Sequence, residues 1–243
     1  FTMLNIFILW GIYLGMIFFR DKTNFNSQTP NDNYPLVFRI FSECDKCRDL
    51  RKQIWRLYTY SCVHSDVYHL LFNSIIFILS CYCLENEITS LNIATIYILS
   101  VIFAALSHCY FKPYTGLIGS SGGSYSLIGT FIGIGIIDYF YFSEIKKNVY
   151  LILLAATFII FLIELYIFIN HYDNSTAYHV HLFGFIYGIL ITNIIVKPRK
   201  NYTYHKKIKI LSFIIFIIIS AMLIDNYLFL HSAKKQKFSD QCC

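Results

Sequence analysis

Apolar residues along the chain gather into seven long stretches, near residues 2–19, 66–84, 88–107, 117–141, 148–170, 177–196 and 208–231, separated by short polar segments. A helix of about 20 apolar residues crosses the ~30 Å hydrocarbon core of a bilayer, and each stretch is close to that length. Pro30, Pro35, Pro113 and Pro198 are the only prolines, and all lie between stretches, where no intrahelical hydrogen bond is lost. Lipid cannot satisfy an exposed backbone N–H or C=O, so segments of this kind must span as helices. The pattern predicts an all-α, polytopic membrane helical bundle. Its transmembrane domain covers 1–231, with a long extramembrane loop at 20–63 and a short tail at 232–243. The chain opens on Phe1 with the apolar run already begun, as a sequence lacking its N-terminal segment would. No charge interrupts Phe1 to Phe19 and no A-x-A-like site follows, so this run reads as a retained span and not a cleaved leader.

Composition sharpens the class. Hydrophobic residues make up 56% of the chain and charged ones only 14%, against about a quarter charged in soluble domains. That balance excludes both a soluble globule and a disordered chain. The formal charge of +6 would suggest nucleic acid in a soluble protein, but the basic residues sit in short runs between apolar stretches. The expected partner is the lipid bilayer, with no nucleic acid. Lys146 and Lys147 mark one short loop, and Lys197, Arg199, Lys200, Lys206 and Lys207 another. On the positive-inside rule both face the cytosol. The loop around Asp173 carries no Lys or Arg and faces out, which makes the 20–63 loop external or lumenal. This fits a multi-pass protein of the secretory pathway or plasma membrane.

Two N-x-[ST] sequons begin at Asn174 and Asn201, and only the first falls on the glycosylation-competent side. Cys44 and Cys47 form a lone C-x-x-C with no second pair or histidines to complete a zinc site, so a disulfide or free thiols are expected and no metal. Cys242 and Cys243 end the chain without a C-a-a-X box. Trp55 to Tyr60 reads as a short amphipathic, interfacial piece.

Polar groups inside spans are costly and mark function by default. On the alternating topology, the second, fourth and sixth helices all start at the outer surface. The second places His69 and Asn73 at i and i+4 on one face, with His64 at the loop junction; the fourth begins Gly119-Ser120-Ser121-Gly122-Gly123; the sixth begins His179-Val180-His181. Serine chemistry needs a base for the hydroxyl proton and donors for the oxyanion. His181 supplies the first. The Ser121 N–H, Asn73 and His64 supply the second, aided by the helix N-terminus beneath Ser121. That set is complete without an acidic residue, and Asp138 and Glu164, both within spans, have no assigned part.

Packing agrees. Gly122, Ser126, Gly129 and Gly133 form a small-residue stripe on the fourth helix, and His181, Gly184 and Gly188 share a face of the sixth. Small residues let helix backbones approach closely in lipid, as a Ser–His hydrogen bond of about 3 Å requires. Tyr125, one turn after Ser121, would then pack beside the His181 ring.

From about Trp55 to Gly188 the sequence resembles the rhomboid intramembrane serine proteases. The resemblance rests on Trp55-Arg56, on His64, His69 and Asn73, on Leu84-Glu85, on Gly119-x-Ser121-Gly122-Gly123 with Tyr125, and on His181-x-x-Gly184-x-x-x-Gly188. It implies a Ser121 nucleophile and a His181 general base. It also implies an oxyanion hole of His64, Asn73 and Ser121, and fold support from Trp55, Arg56 and Glu85. No cofactor is implied, and the substrates would be single-span transmembrane proteins cut near the outer part of their membrane segment. Serine on helix four and histidine on helix six, followed by a further span, looks like the arrangement of six core helices plus one C-terminal helix. Tyr178-His179-Val180 departs from the small residues commoner before the base. A catalytically silent relative that binds client helices is the alternative. A proton-relaying channel fits less well, because the polar groups stop within one leaflet.

Overall fold

The computed structural model describes residues 1–18, 35–40, 49–113, 115–171, 177–200 and 203–229. Among them lie eight helices: α1 (Thr2–Phe18), the four-residue α2 (Arg56–Thr59), α3 (Val67–Leu84), α4 (Ser90–Phe111), α5 (Ser121–Asp138), α6 (Glu144–His171), α7 (Tyr178–Ile195) and α8 (Thr203–Phe229). The six from α3 to α8 are long and apolar enough to cross a membrane, while α1 is apolar but only 17 residues long. Cys44, Cys47, Asn174, Asn201, Cys242, Cys243 and the 232–243 tail lie outside the described residues.

Three helix starts differ from the hydropathy reading for a physical reason. α6 begins at Glu144 and α8 at Thr203, earlier than expected, because a helix can continue past the apolar region through Lys146–Lys147 and Lys206–Lys207. α5 begins later, at Ser121, because residues 117–120 are taken up by a turn that sets the serine.

α5 is the centre of the bundle, packed between α4 and α7. Its small residues permit this. A Cβ at Gly184 would lie 2.1 Å from the Gly122 carbonyl oxygen, one at Gly188 would lie 2.0 Å from that of Ser126, and one at Gly129 would lie 2.2 Å from that of Phe185. Only glycine lets these backbones touch. On the α4 side, Gly123 accommodates the Tyr97 ring. Interhelical hydrogen bonds add register: Tyr187 Oη with Ser220 Oγ at 3.1 Å and Asn193 Nδ2 to Ser212 Oγ at 3.2 Å tie α7 to α8. α6 is peripheral, with most of its described side chains exposed, as a lipid-facing helix would be.

The ends of the bundle are chemically distinct. At the C-terminal end of α5, Glu87 pairs with both Lys146 and Arg199, and the Arg199 N–H donates to Asp138 Oδ1 at 3.0 Å. Both basic loops therefore meet at one end. At the other, Arg51 Nη1 donates to the carbonyls of Tyr227 and Leu228 at 2.9 and 3.0 Å, placing a cation on the C-terminus of α8. The segment expected to lie at the membrane interface forms a clamp. Arg56 is buried and donates to Val37 O at 2.6 Å, Trp55 Nε1 donates to Pro35 O at 3.1 Å, and Thr59 Oγ1 to Leu36 O at 3.1 Å. These bonds satisfy carbonyls that residues 35–40 would otherwise leave open.

Candidate active site

The serine turn is built by backbone geometry. Gly119 has φ +101°, a left-handed conformation that glycine adopts without strain, and its N–H donates to Tyr60 O at 3.1 Å. Leu117 and Phe38 exchange both backbone hydrogen bonds, at 2.9 and 3.2 Å, which anchors the turn to the 35–40 strip. Ser121 follows as the first residue of α5, so its N–H is one of the four that a helix start leaves without an intrahelical acceptor. The dipole of the helix places partial positive charge there.

His181, on the first turn of α7, meets this serine: Nε2 lies 2.9 Å from Ser121 Oγ. The close backbone contact at Gly122 and Gly184 brings them into reach. The Tyr125 ring stacks on the His181 ring at 4.3 Å with an interplanar angle of 4°, as the i, i+4 spacing from Ser121 suggested. One partner was missed in the sequence. The Nδ1 atom of His181 is 2.8 Å from Glu164 Oε1, and Tyr125 Oη donates to the same oxygen. The signal was available: Glu164 is an acid set within the apolar run of α6, where a charge without donors is costly. Helical periodicity could not reveal it, because it does not say which neighbour a lipid-facing helix touches.

The oxyanion side also differs from expectation. His64 is 1% exposed, and its Nε2 accepts from the Ser120 N–H at 3.3 Å and lies 3.2 Å from Ser120 Oγ. It braces the turn from behind. His69 packs against the same turn, its Nε2 and Cε1 standing 2.9 and 2.8 Å from where a Cβ at Gly119 would lie. His69 is also near enough to His181 for charge on one to oppose charge on the other. Ser65 Oγ lies 3.2 Å from His69 Nδ1, and Asp66 caps α3 by accepting from the His69 N–H at 2.9 Å. That N–H and then the Ser65 hydroxyl hold the Asp66 carboxyl below the usual carboxylate range. Asn73, one turn beyond His69, is buried, and its Nδ2 has no hydrogen-bond partner among the described residues.

Trp55, Arg56 and Glu85 stand away from this centre. Glu85, just past α3, accepts from Thr2 Oγ1 at 2.8 Å at the far end of the bundle. His179 faces α4, with Nε2 3.0 Å from His108 Nδ1.

Residues 51–198 match the family model of the rhomboid domain. The chain belongs to the rhomboid family. Among its relatives, Rhomboid-related protein 2 of Mus musculus is 26% identical over 151 residues, covering 60% of this chain and 49% of that protein. Inactive rhomboid-related protein 2 of Caenorhabditis elegans is 28% identical over 158 residues, 62% of this chain and 44% of that protein. RHOMBOID-like protein 1 of Arabidopsis thaliana is 27% identical over 153 residues, 63% and 37% respectively. The chain thus spans half or less of the length of these rhomboid relatives. The match encloses Ser121, His181 and Glu164, but leaves outside it the 35–40 strip that anchors the serine turn.

Proposed function

We propose that this rhomboid is an intramembrane serine endopeptidase that cleaves single-span membrane proteins near the extracytoplasmic end of their membrane segment. The observation that carries the reading is the 2.9 Å contact between Ser121 Oγ and His181 Nε2 at the start of α5. As Ser121 Oγ bonds to the scissile carbonyl carbon, its proton passes to His181 Nε2 and the carbonyl π pair moves onto oxygen. Collapse of this intermediate breaks the C–N bond, and the Nε2 proton leaves with the amine. Water then repeats the sequence on the acyl-enzyme, with His181 taking and returning one proton. The Ser121 N–H, Asn73 Nδ2 and His69 are the donors that best fit the oxyanion, with His64 reassigned to positioning the turn. A helical substrate must unwind locally to present its scissile bond, since helical backbone groups are already paired. The basic loops at the opposite end favour a lumenal or extracellular site for Ser121.

The test is co-expression with a panel of single-span reporters. Ser121→Ala and His181→Ala should each reduce cleavage below about a thousandth of the unaltered protein's rate without changing membrane insertion. Full cleavage by both variants refutes the mechanism. The relative named inactive motivates a second reading, a silent rhomboid that holds client helices. Labelling of Ser121 by a fluorophosphonate is expected for a protease and not for such a binder.

A further inference from the structure

We infer that Glu164 is a positioning residue that completes a Ser121–His181–Glu164 triad, with the Tyr125 hydroxyl holding the carboxylate in place. The inference rests on the protease reading above and extends it to an acid from a third helix. Its basis is the geometry around one oxygen. Glu164 Oε1 lies 2.8 Å from His181 Nδ1 and also accepts from Tyr125 Oη. Two donors converging on one oxygen match an ionised carboxylate, which only accepts. The side chains of Glu164 and His181 are 15% and 13% exposed, so this pair is largely enclosed by protein.

The arrangement fixes what His181 can do. With the proton on Nδ1 directed at Glu164, the neutral ring presents the lone pair of Nε2 to Ser121 Oγ. When Nε2 takes the serine proton, the carboxylate faces the resulting imidazolium and stays ionised; no second proton moves. Tyr125 acts twice, its ring stacked on the imidazole and its hydroxyl on the carboxylate, so the acid and the ring are aligned by one side chain from α5. The other titratable groups around His181 are His69 from α3 and Tyr178 and His179 from α7 itself. Among its described contacts, Glu164 supplies the only carboxylate. The same contacts account for an acid in the apolar run of α6, since each donor reduces the cost of holding a charge there.

The experiment compares the chain of residues 1–243 with its Glu164→Gln, Tyr125→Phe and doubly substituted forms in detergent micelles. The readouts are the second-order rate of Ser121 labelling by a fluorophosphonate across pH, and the proton spectrum of 15N-histidine-labelled protein. In soluble serine hydrolases, replacing the triad acid by its amide lowers turnover about 10⁴-fold through the wrong tautomer. Glu164→Gln should therefore slow labelling by about 10²- to 10⁴-fold and move the acid limb of its profile to lower pH. Tyr125→Phe should slow it about 3- to 10-fold, and the double variant should be no slower than Glu164→Gln, since both act through one oxygen. A downfield Nδ1–H resonance should appear in the unaltered protein and vanish in Glu164→Gln. Labelling by Glu164→Gln at the unaltered rate and profile would overturn the triad, as would absence of that resonance from the unaltered protein. If the unaltered protein carries the resonance yet does not label, the triad geometry stands and the protease reading falls.

Discussion

At the scale of the residue, the environment of each imidazole decides what it can do. Burial, and then the neighbouring His69, push the His64 ring down to about 3, so it is neutral wherever the protein works. Its Nε2 is already an acceptor for the Ser120 N–H, which leaves no proton there to offer an oxyanion. Among the described residues His69 has no such engagement on Nε2, and it shares a helix face with Asn73. That i, i+4 pairing was readable in the sequence, yet the donor role was given there to His64; the burial of His64, which depends on the serine turn folding over it, was not readable. The depressed His64 ring also has a consequence for stability. An unfolded chain gains a proton at this position below about 6.5, and the folded one does not until about 3. The contribution of His64 to stability should be level above pH 6.5 and decline as pH falls from there toward 3. His64→Gln should decline less steeply over that window in thermal unfolding followed in micelles; an identical slope for both proteins would contradict the assignment.

Between elements, the α5–α7 contact is the part that periodicity reveals best. A stripe at i, i+4, i+7, i+11 on one helix and i, i+3, i+7 on another specifies two faces able to meet, and the structure brings them to backbone contact. What periodicity omits is the third helix. α6 is apolar nearly all round, so its rotation carries no signal beyond Glu164 itself, and the contact with His181 required coordinates. The glycines separate packing from mere composition. Gly184→Ala would place a methyl 2.1 Å from the Gly122 carbonyl oxygen, and Gly188→Ala one 2.0 Å from that of Ser126, so the helices must part. Each should cost about 1–3 kcal/mol of stability. Gly11→Ala in α1 meets nothing within 4 Å and should change stability by less than about 0.5 kcal/mol. Thermal inactivation midpoints would check both, and equal midpoints for Gly11→Ala and Gly184→Ala would refute the packing argument.

For the whole molecule, charge and chemistry lie at opposite ends. Glu87 draws Lys146 and Arg199 together at one, and Ser121 and His181 occupy the other. If the basic end faces the cytosol, a thiol introduced by Ser65→Cys should react with a membrane-impermeant maleimide added to intact cells, in a background in which Cys44, Cys47, Cys83, Cys242 and Cys243 are replaced by serine. One introduced by Lys147→Cys should react only after permeabilisation. The reverse pattern would invert the topology. The helical class and the polarity of the bundle ends were thus open to a reader of the sequence, because hydropathy and loop charge are local quantities; the count was not, since seven spans were expected and six of the described helices reach spanning length, α1 stopping at 17 residues. The tether between Phe38 and Leu117 was not, since it joins positions far apart in the chain through backbone groups alone. That tether redraws the boundary of the working unit. A fragment trimmed to residues 51–198 would keep every side chain of the proposed triad yet discard the strip that moors the loop ahead of the serine, and with it the helix whose Leu223 is wholly buried in the core. The homologous segment is thus narrower than the packed structure, whose core and backbone tether extend beyond it on both sides.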